Sequence, residues 1–190
     1  TIRRMLAALL AAVMLLGMLP AAAAETGQPI FQADFEGTDA LFALDENWTV
    51  VETGDGHALQ GRVTGNSGAL TLAENVQLPE TYTITYDFTM VEAATANGWS
   101  GGVVFGYKDG SNFHHFRFNK SSAVSNVQVM QWPDPNNHVL AQVDYPFQTG
   151  EGTSHSLCLI NEAGKARMYV DGQLLAEDIP VESAGNGLGL

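Results

Sequence analysis

Residues 81–90 alternate without a break. Tyr82, Ile84, Tyr86, Phe88 and Met90 share one side, and Thr81, Thr83, Thr85, Asp87 and Thr89 share the other. A period of two predicts a strand with one buried face, and β-branched and aromatic residues suit it. Residues 112–119 alternate too. With Phe116 and Phe118 turned inward, His114 lies with them, while Phe113, His115 and Arg117 face outward. Residues 165–170 form another such run, and Asp171-Gly172 follows at once. That pair predicts a type I′ hairpin turn, which needs φ > 0 at both central positions, with residues 173–177 returning as the second strand. Further strands are predicted at 30–36, 47–52, 57–61, 68–73, 101–107, 126–132, 138–144 and 154–160, with a Pro/Asn loop at 133–137. No stretch of ten residues carries a helical period. Short strands at spacings of roughly 8–12 residues predict an all-β, antiparallel sandwich or barrel in a single domain.

Composition modifies this picture at the N-terminus first. Arg3 and Arg4 precede an apolar run from Met5 to Leu19, and small residues close it at Ala21 to Ala24. Residues 1–24 therefore read as a secretory signal peptide, with cleavage before Glu25 and a bacterial look. The run is short for a membrane span. Residues 25–29 form a polar linker and 30–190 the folded domain, secreted or held at the cell surface. The formal net charge is −13. So acidic a chain is a poor nucleic-acid binder, because it lacks the cations that neutralise phosphates. It also gives no reason to expect a membrane partner beyond the export signal, and it suits a neutral ligand better than an anionic polymer. The single cysteine, Cys158, excludes an internal disulfide and reads as a small apolar residue.

Several stretches together resemble the concanavalin A-like, laminin-G-like jelly rolls of secreted carbohydrate-active proteins. They are Ala33-Asp-Phe-Glu-Gly37, Gly101-Gly-Val-Val-Phe-Gly-Tyr107 with the turn after it, Phe116-Arg-Phe118, Ser156-Leu-Cys-Leu159, Val170-Asp-Gly172 and Gly187-Leu-Gly-Leu190. The resemblance covers nearly all of residues 30–190 and rests on the order of these motifs. It implies two stacked antiparallel sheets, with ligands met on one sheet face or at a loop rim. It also implies one more strand after Leu190, pairing beside residues 30–36, so that the final strand is expected to be missing here.

Candidate ligand-binding residues follow from that geometry. An aromatic, a histidine and an arginine in a row, Phe113, His115 and Arg117, can stack on a sugar ring and hydrogen-bond its hydroxyls. An ordinary solvated strand face is the plainer alternative. Trp99 and Trp132 fall at rim positions, where each is expected either to form a stacking platform for sugar or to pack at the edge over the core, and Trp48 reads as core. No cofactor is required. The resemblance implies a structural Ca2+ at a loop rim, for which Asp34 and Glu36 are the candidate ligands; exposed acids of an acidic protein are the alternative. His114 and His115 are adjacent on a strand and point to opposite faces, so they cannot chelate one ion. His57, His138 and His155 lack ligand spacing. The Glu-x-Asp-x-x-Glu strand of jelly-roll glucanases is absent, and Arg117 with His115 matches only part of a lyase-like set. The expectation is a non-catalytic module, within a larger carbohydrate-active protein, that binds a neutral poly- or oligosaccharide. A glycan-cleaving enzyme and an adhesion or protein-interaction module are the alternatives.

Overall fold

The computed structural model describes residues 29–36, 41–62, 69–91, 98–132, 138–150, 153–182 and 185–190. The chain divides into a unit spanning Thr1–Gln32 and another spanning Ala33–Leu190. The expected signal peptide at 1–24, and the linker except Pro29, lie outside the described residues. Among the described residues no helix is long and apolar enough to cross a membrane.

Among its described residues, the second unit is built from strands and the segments that join them. β1 (Trp48–Thr53) and β2 (Gly56–Gly61) form a two-stranded ribbon. β3 (Thr81–Phe88), β8 (His155–Glu162), β9 (Lys165–Val170) and β10 (Gln173–Pro180) form a sheet in the order β10-β9-β8-β3. β4 (Trp99–Asp109), β5 (Asn112–Lys120), β6 (Ser125–Trp132), β7 (His138–Asp144) and β11 (Gly187–Gly189) form the other, ordered β11-β4-β5-β6-β7. Every strand pairing is antiparallel.

The alternation read in the sequence decides which sides meet. Tyr82, Ile84 and Phe88 of β3, Leu157 and Leu159 of β8, and Ala166, Met168 and Val170 of β9 form one wall of a single core. Val103 and Phe105 of β4, Phe116 and Phe118 of β5, and Val127 and Val129 of β6 form the opposite wall. Rings join the walls: Phe88 stacks on Phe118 with centroids 4.3 Å apart, and Tyr82 meets Phe105 edge-on at 6.4 Å. The structure is therefore the expected all-β antiparallel sandwich.

The hairpin signal at Asp171-Gly172 is realised. Val170 pairs with Gln173 across the turn, and Asp171 and Gly172 stand at φ 48° and 77°. Cys158 is half-buried on the outward side of β8, between Thr85 and Tyr169, instead of in the core; burial pushes its thiol pKa up.

Three expectations need correction. Residues 31–36 form no strand: Phe35 adopts φ 59°, a left-handed conformation that interrupts an extended run. Of the strand predicted at 68–73, residue 68 lies outside the described residues, and Leu72 and Ala73 make only isolated bridges, to Gly189 and Phe42. Trp48 belongs to the β1–β2 ribbon and not to the inter-sheet core; its ring lies over Gly61, where a Cβ would approach it at 2.8 Å.

His114 faces the core as its register predicts, 1% exposed and stacked on Phe105 at 5.2 Å. Neither ring nitrogen has a hydrogen-bond partner among the described residues, and burial lowers its pKa from 6.5 to about 4. The neutral ring is thus the folded form. Its contribution to stability is complete above the unfolded value near 6.5 and is lost as pH falls toward 4, by at most about 3 kcal/mol. His114→Met is expected to make the acid limb of a urea-midpoint profile shallower between pH 7.5 and 4.5. Limbs of equal depth in the two proteins would rule out this role for His114.

Candidate functional site

Because Phe105, Phe116, Phe118, Val127 and Val129 point into the core, the intervening residues of β4, β5 and β6 populate the other face of the five-stranded sheet. Register arranges them in rows. Phe113 lies opposite Trp132, and Val104, His115 and Met130 line up next. Gly102, Arg117, Gln128 and Gln142 make the third row; Ser100, Asn119, Asn126 and Asp144 make the fourth.

The first row is aromatic. Phe113 stacks on Trp132 with centroids 5.7 Å apart and planes 24° from parallel, and Tyr107 meets Phe113 at 6.1 Å. Phe113 and Trp132 are both half-buried, so each keeps part of its ring open to solvent. Burial continues along the face: Val104 and Met130 are almost fully covered. His115 between them makes no hydrogen bond among the described residues. Burial first, and the Arg117 charge second, lower its pKa from 6.5 to about 4, so it is neutral near pH 7.

The third row is an amide ladder. Arg117 Nε donates to Gln128 Oε1 at 2.9 Å, and Gln128 Nε2 donates to Gln142 Oε1 at 2.5 Å. Gly102 leaves this row open on the β4 side; a Cβ there would collide with the Phe116 carbonyl oxygen and the Arg117 Cα. Asn119, Asn126 and Asp144 of the fourth row line a cleft of about 660 Å³ with Gln128, Gln142 and Tyr145. In it Asn126 is 3% exposed, and its Oδ1 is buried without a partner among the described residues. From the Trp132 row to the Asn126 row is six residues of strand, roughly 20 Å. That length suits an extended oligomer.

The sequence-predicted residues fare differently. Phe113, His115, Arg117 and Trp132 come together on this face. Trp99 opens β4 opposite Lys120, at the far end of β5 from Trp132; its side chain lies outside the described residues. Asp34 Oδ1 accepts the Glu36 amide at 3.2 Å, and Glu36 itself meets β2. Glu36 Oε1 accepts the His57 amide at 2.9 Å and its Oε2 meets His57 Nδ1 at 3.1 Å, and the His57 side chain holds its pKa below the usual carboxylate range. Among the described residues no group of three or more His, Cys, Asp or Glu is placed to hold a metal ion. Sequence reasoning missed Gln128, Gln142, Asn126 and Asp144, which only the β5–β6–β7 register brings beside Arg117.

A second polar cluster lies where β8 begins. His155 Nδ1 donates to Asp171 Oδ2 at 2.8 Å, and the Gln148 amide donates to His155 Nε2 at 3.0 Å. With both ring nitrogens engaged, this Asp–His pair has no nitrogen left to activate a nucleophile, so the cluster is structural.

No protein-family model matches the chain, and no curated protein matches it in sequence. Among solved structures, it is similar to the carbohydrate-binding module CBM66 from Bacillus subtilis. The TM-score is 0.57 at 21% identity, over 76% of this chain and 84% of that one. The likeness carries the fold, a β-sandwich.

Proposed function

We propose that this protein is a carbohydrate-binding β-sandwich of the concanavalin A-like, laminin-G-like kind, with its site on the outer face of the five-stranded sheet. The observation that carries the reading is the Phe113–Trp132 stack standing at the head of the Arg117–Gln128–Gln142 ladder. Stacked rings offer flat apolar area to the C–H face of a sugar, and the amides and the guanidinium offer hydrogen bonds to its oxygens. The solved structure it resembles is titled a carbohydrate-binding module. The proposed ligand is an oligosaccharide carrying little charge, in keeping with a net charge of −13. The proposed setting is outside the cell, after export on residues 1–24, as one module of a larger carbohydrate-active protein.

Binding is favoured over glycoside cleavage by the carboxylates. Hydrolysis needs two that converge on one bond. The fourth row holds Asp144 with Asn119, Asn126 and Ser100, and no second acid.

A glycan array followed by calorimetry tests the site. Trp132→Ala and Phe113→Ala are each expected to weaken binding about 10–100-fold, the equivalent of roughly 1.4–2.8 kcal/mol. Thermal melting of each variant serves as the check on folding. Binding that survives both substitutions would remove the site from this face.

A further inference from the structure

Arg117 stands near the middle of the outer face, and among the described residues no acid pairs with it. Its Nε is tied to Gln128, and among the described residues its guanidinium makes no salt bridge. The chain has 21 Asp and Glu residues, so the missing partner does not reflect a shortage of carboxylates. Burial lowers the Arg117 pKa, an energetic cost that an incoming anion would offset.

The neighbours narrow the chemistry. Gln128 Oε1 is occupied by Arg117, and Gln142 Oε1 is occupied by Gln128. Each amide oxygen already accepts one bond, while the two Nη groups of Arg117 and Nε2 of Gln142 remain as donors in the third row. Gly102 places no side chain over the β4 flank. One row away the pattern inverts, because Asn126 Oδ1 is buried without a donor and Asp144 is an acceptor.

Building on the carbohydrate reading above, we infer that the ligand contains a sugar acid, its carboxylate seated on the Arg117 Nη groups and its neighbouring hydroxyls donating to Asn126 and Asp144. A carboxylate is planar and acceptor-only, and it matches the guanidinium fork in a bidentate pair. A neutral hydroxyl can also accept from those donors, but its hydrogen bonds carry no charge assistance and leave the guanidinium charge unanswered. The overall negative charge disfavours a densely charged polymer. An acidic sugar within a mainly neutral chain satisfies both conditions.

The test is an array of neutral, uronate-bearing and sulfated oligosaccharides at pH 7, with calorimetry on matched pairs that differ only in the acidic group. The uronate form is expected to bind about tenfold more tightly than its neutral match. Arg117→Gln should bring that ratio close to one. Gln128→Glu should do the same by giving the guanidinium a carboxylate within the protein, and an unchanged melting temperature in this variant separates loss of the site from loss of the fold. Equal affinity for the neutral and uronate forms overturns the inference and leaves the carbohydrate site standing. A preference for sulfate overturns the carboxylate. Binding to none of the array overturns both readings.

Discussion

Phe118→Ala is expected to cost about 3–5 kcal/mol in urea denaturation, the range for removing a large buried ring that leaves a cavity. Phe118 is 7% exposed and lies almost parallel to Phe88, with centroids 4.3 Å apart and planes 5° from parallel. Phe147, in the segment between β7 and β8, meets it edge-on at 6.1 Å. On its own sheet the ring covers Gly101, where a Cβ would stand 3.0 Å from it. One side chain therefore joins β5 to β3, to β4 and to the β7–β8 connection. A domain of this size has a total stability of about 5–15 kcal/mol, so the loss would be a large share of it. Thr83→Ala, on the exposed side of β3, is the control and should shift the midpoint little. A loss below about 1 kcal/mol for Phe118→Ala would mean that the rings do not hold the sheets together.

Asp171→Ala carries the second large expected effect, about 3 kcal/mol by the measure of hydrogen bonds to a charged group. Asp171 Oδ2 accepts from the Tyr145 hydroxyl at 2.6 Å and from His155 Nδ1 at 2.8 Å, and Oδ1 accepts the Ser156 amide at 2.8 Å. One carboxylate thus anchors the exit of β7, the start of β8 and the β9–β10 turn. Truncation would leave His155, 8% exposed, with an unanswered donor. Burial pushes the Asp171 pKa up, but the Tyr145 hydroxyl, the Ser156 amide and the His155 ring outweigh it and hold the pKa below the usual carboxylate range. In return, the hydrogen bond to Asp171 raises the Tyr145 pKa to about 12. A depressed folded pKa contributes stability that is present above the unfolded value near 3.9 and lost as pH falls through the folded one. Asp171→Asn should lose that pH-dependent part. Asp171→Gly tests the turn separately, since φ 48° suits glycine at least as well as aspartate. If the glycine variant were as stable as the parent, the carboxylate would have no anchoring role.

Strand identity was largely legible because each strand's own alternation reports which side is buried. β5 shows this best: Phe116 and Phe118 went inward with His114, and Phe113, His115 and Arg117 went outward, as the pattern of two required. Residues 30–36 alternate just as clearly and yet form no strand, because alternation describes side-chain direction and says nothing about a ladder partner. Phe35 at φ 59° and Glu36 bonded to His57 use that segment in another way. β6 hid half of the candidate site for a related reason. Asn126, Gln128 and Met130 are buried on the outer face and Val127 and Val129 in the core, so its run lacks the contrast that marks a half-buried strand. The Arg117–Gln128–Gln142 ladder depends on register across three strands, and the Asp171 cluster joins residues from Tyr145 to Asp171. Neither has a local signature.

Cys158 has a practical consequence for work on this protein. It is the chain's single cysteine, and it lies on the outward side of the four-stranded sheet, with the whole core between it and Trp132. A maleimide dye or surface linker attached there would leave the Phe113–Trp132 face turned toward solvent. Its half-burial and raised thiol pKa mean slow alkylation at neutral pH, so labelling calls for mildly alkaline buffer and long incubation. Immobilised this way, every molecule would present the same face to a flowing glycan.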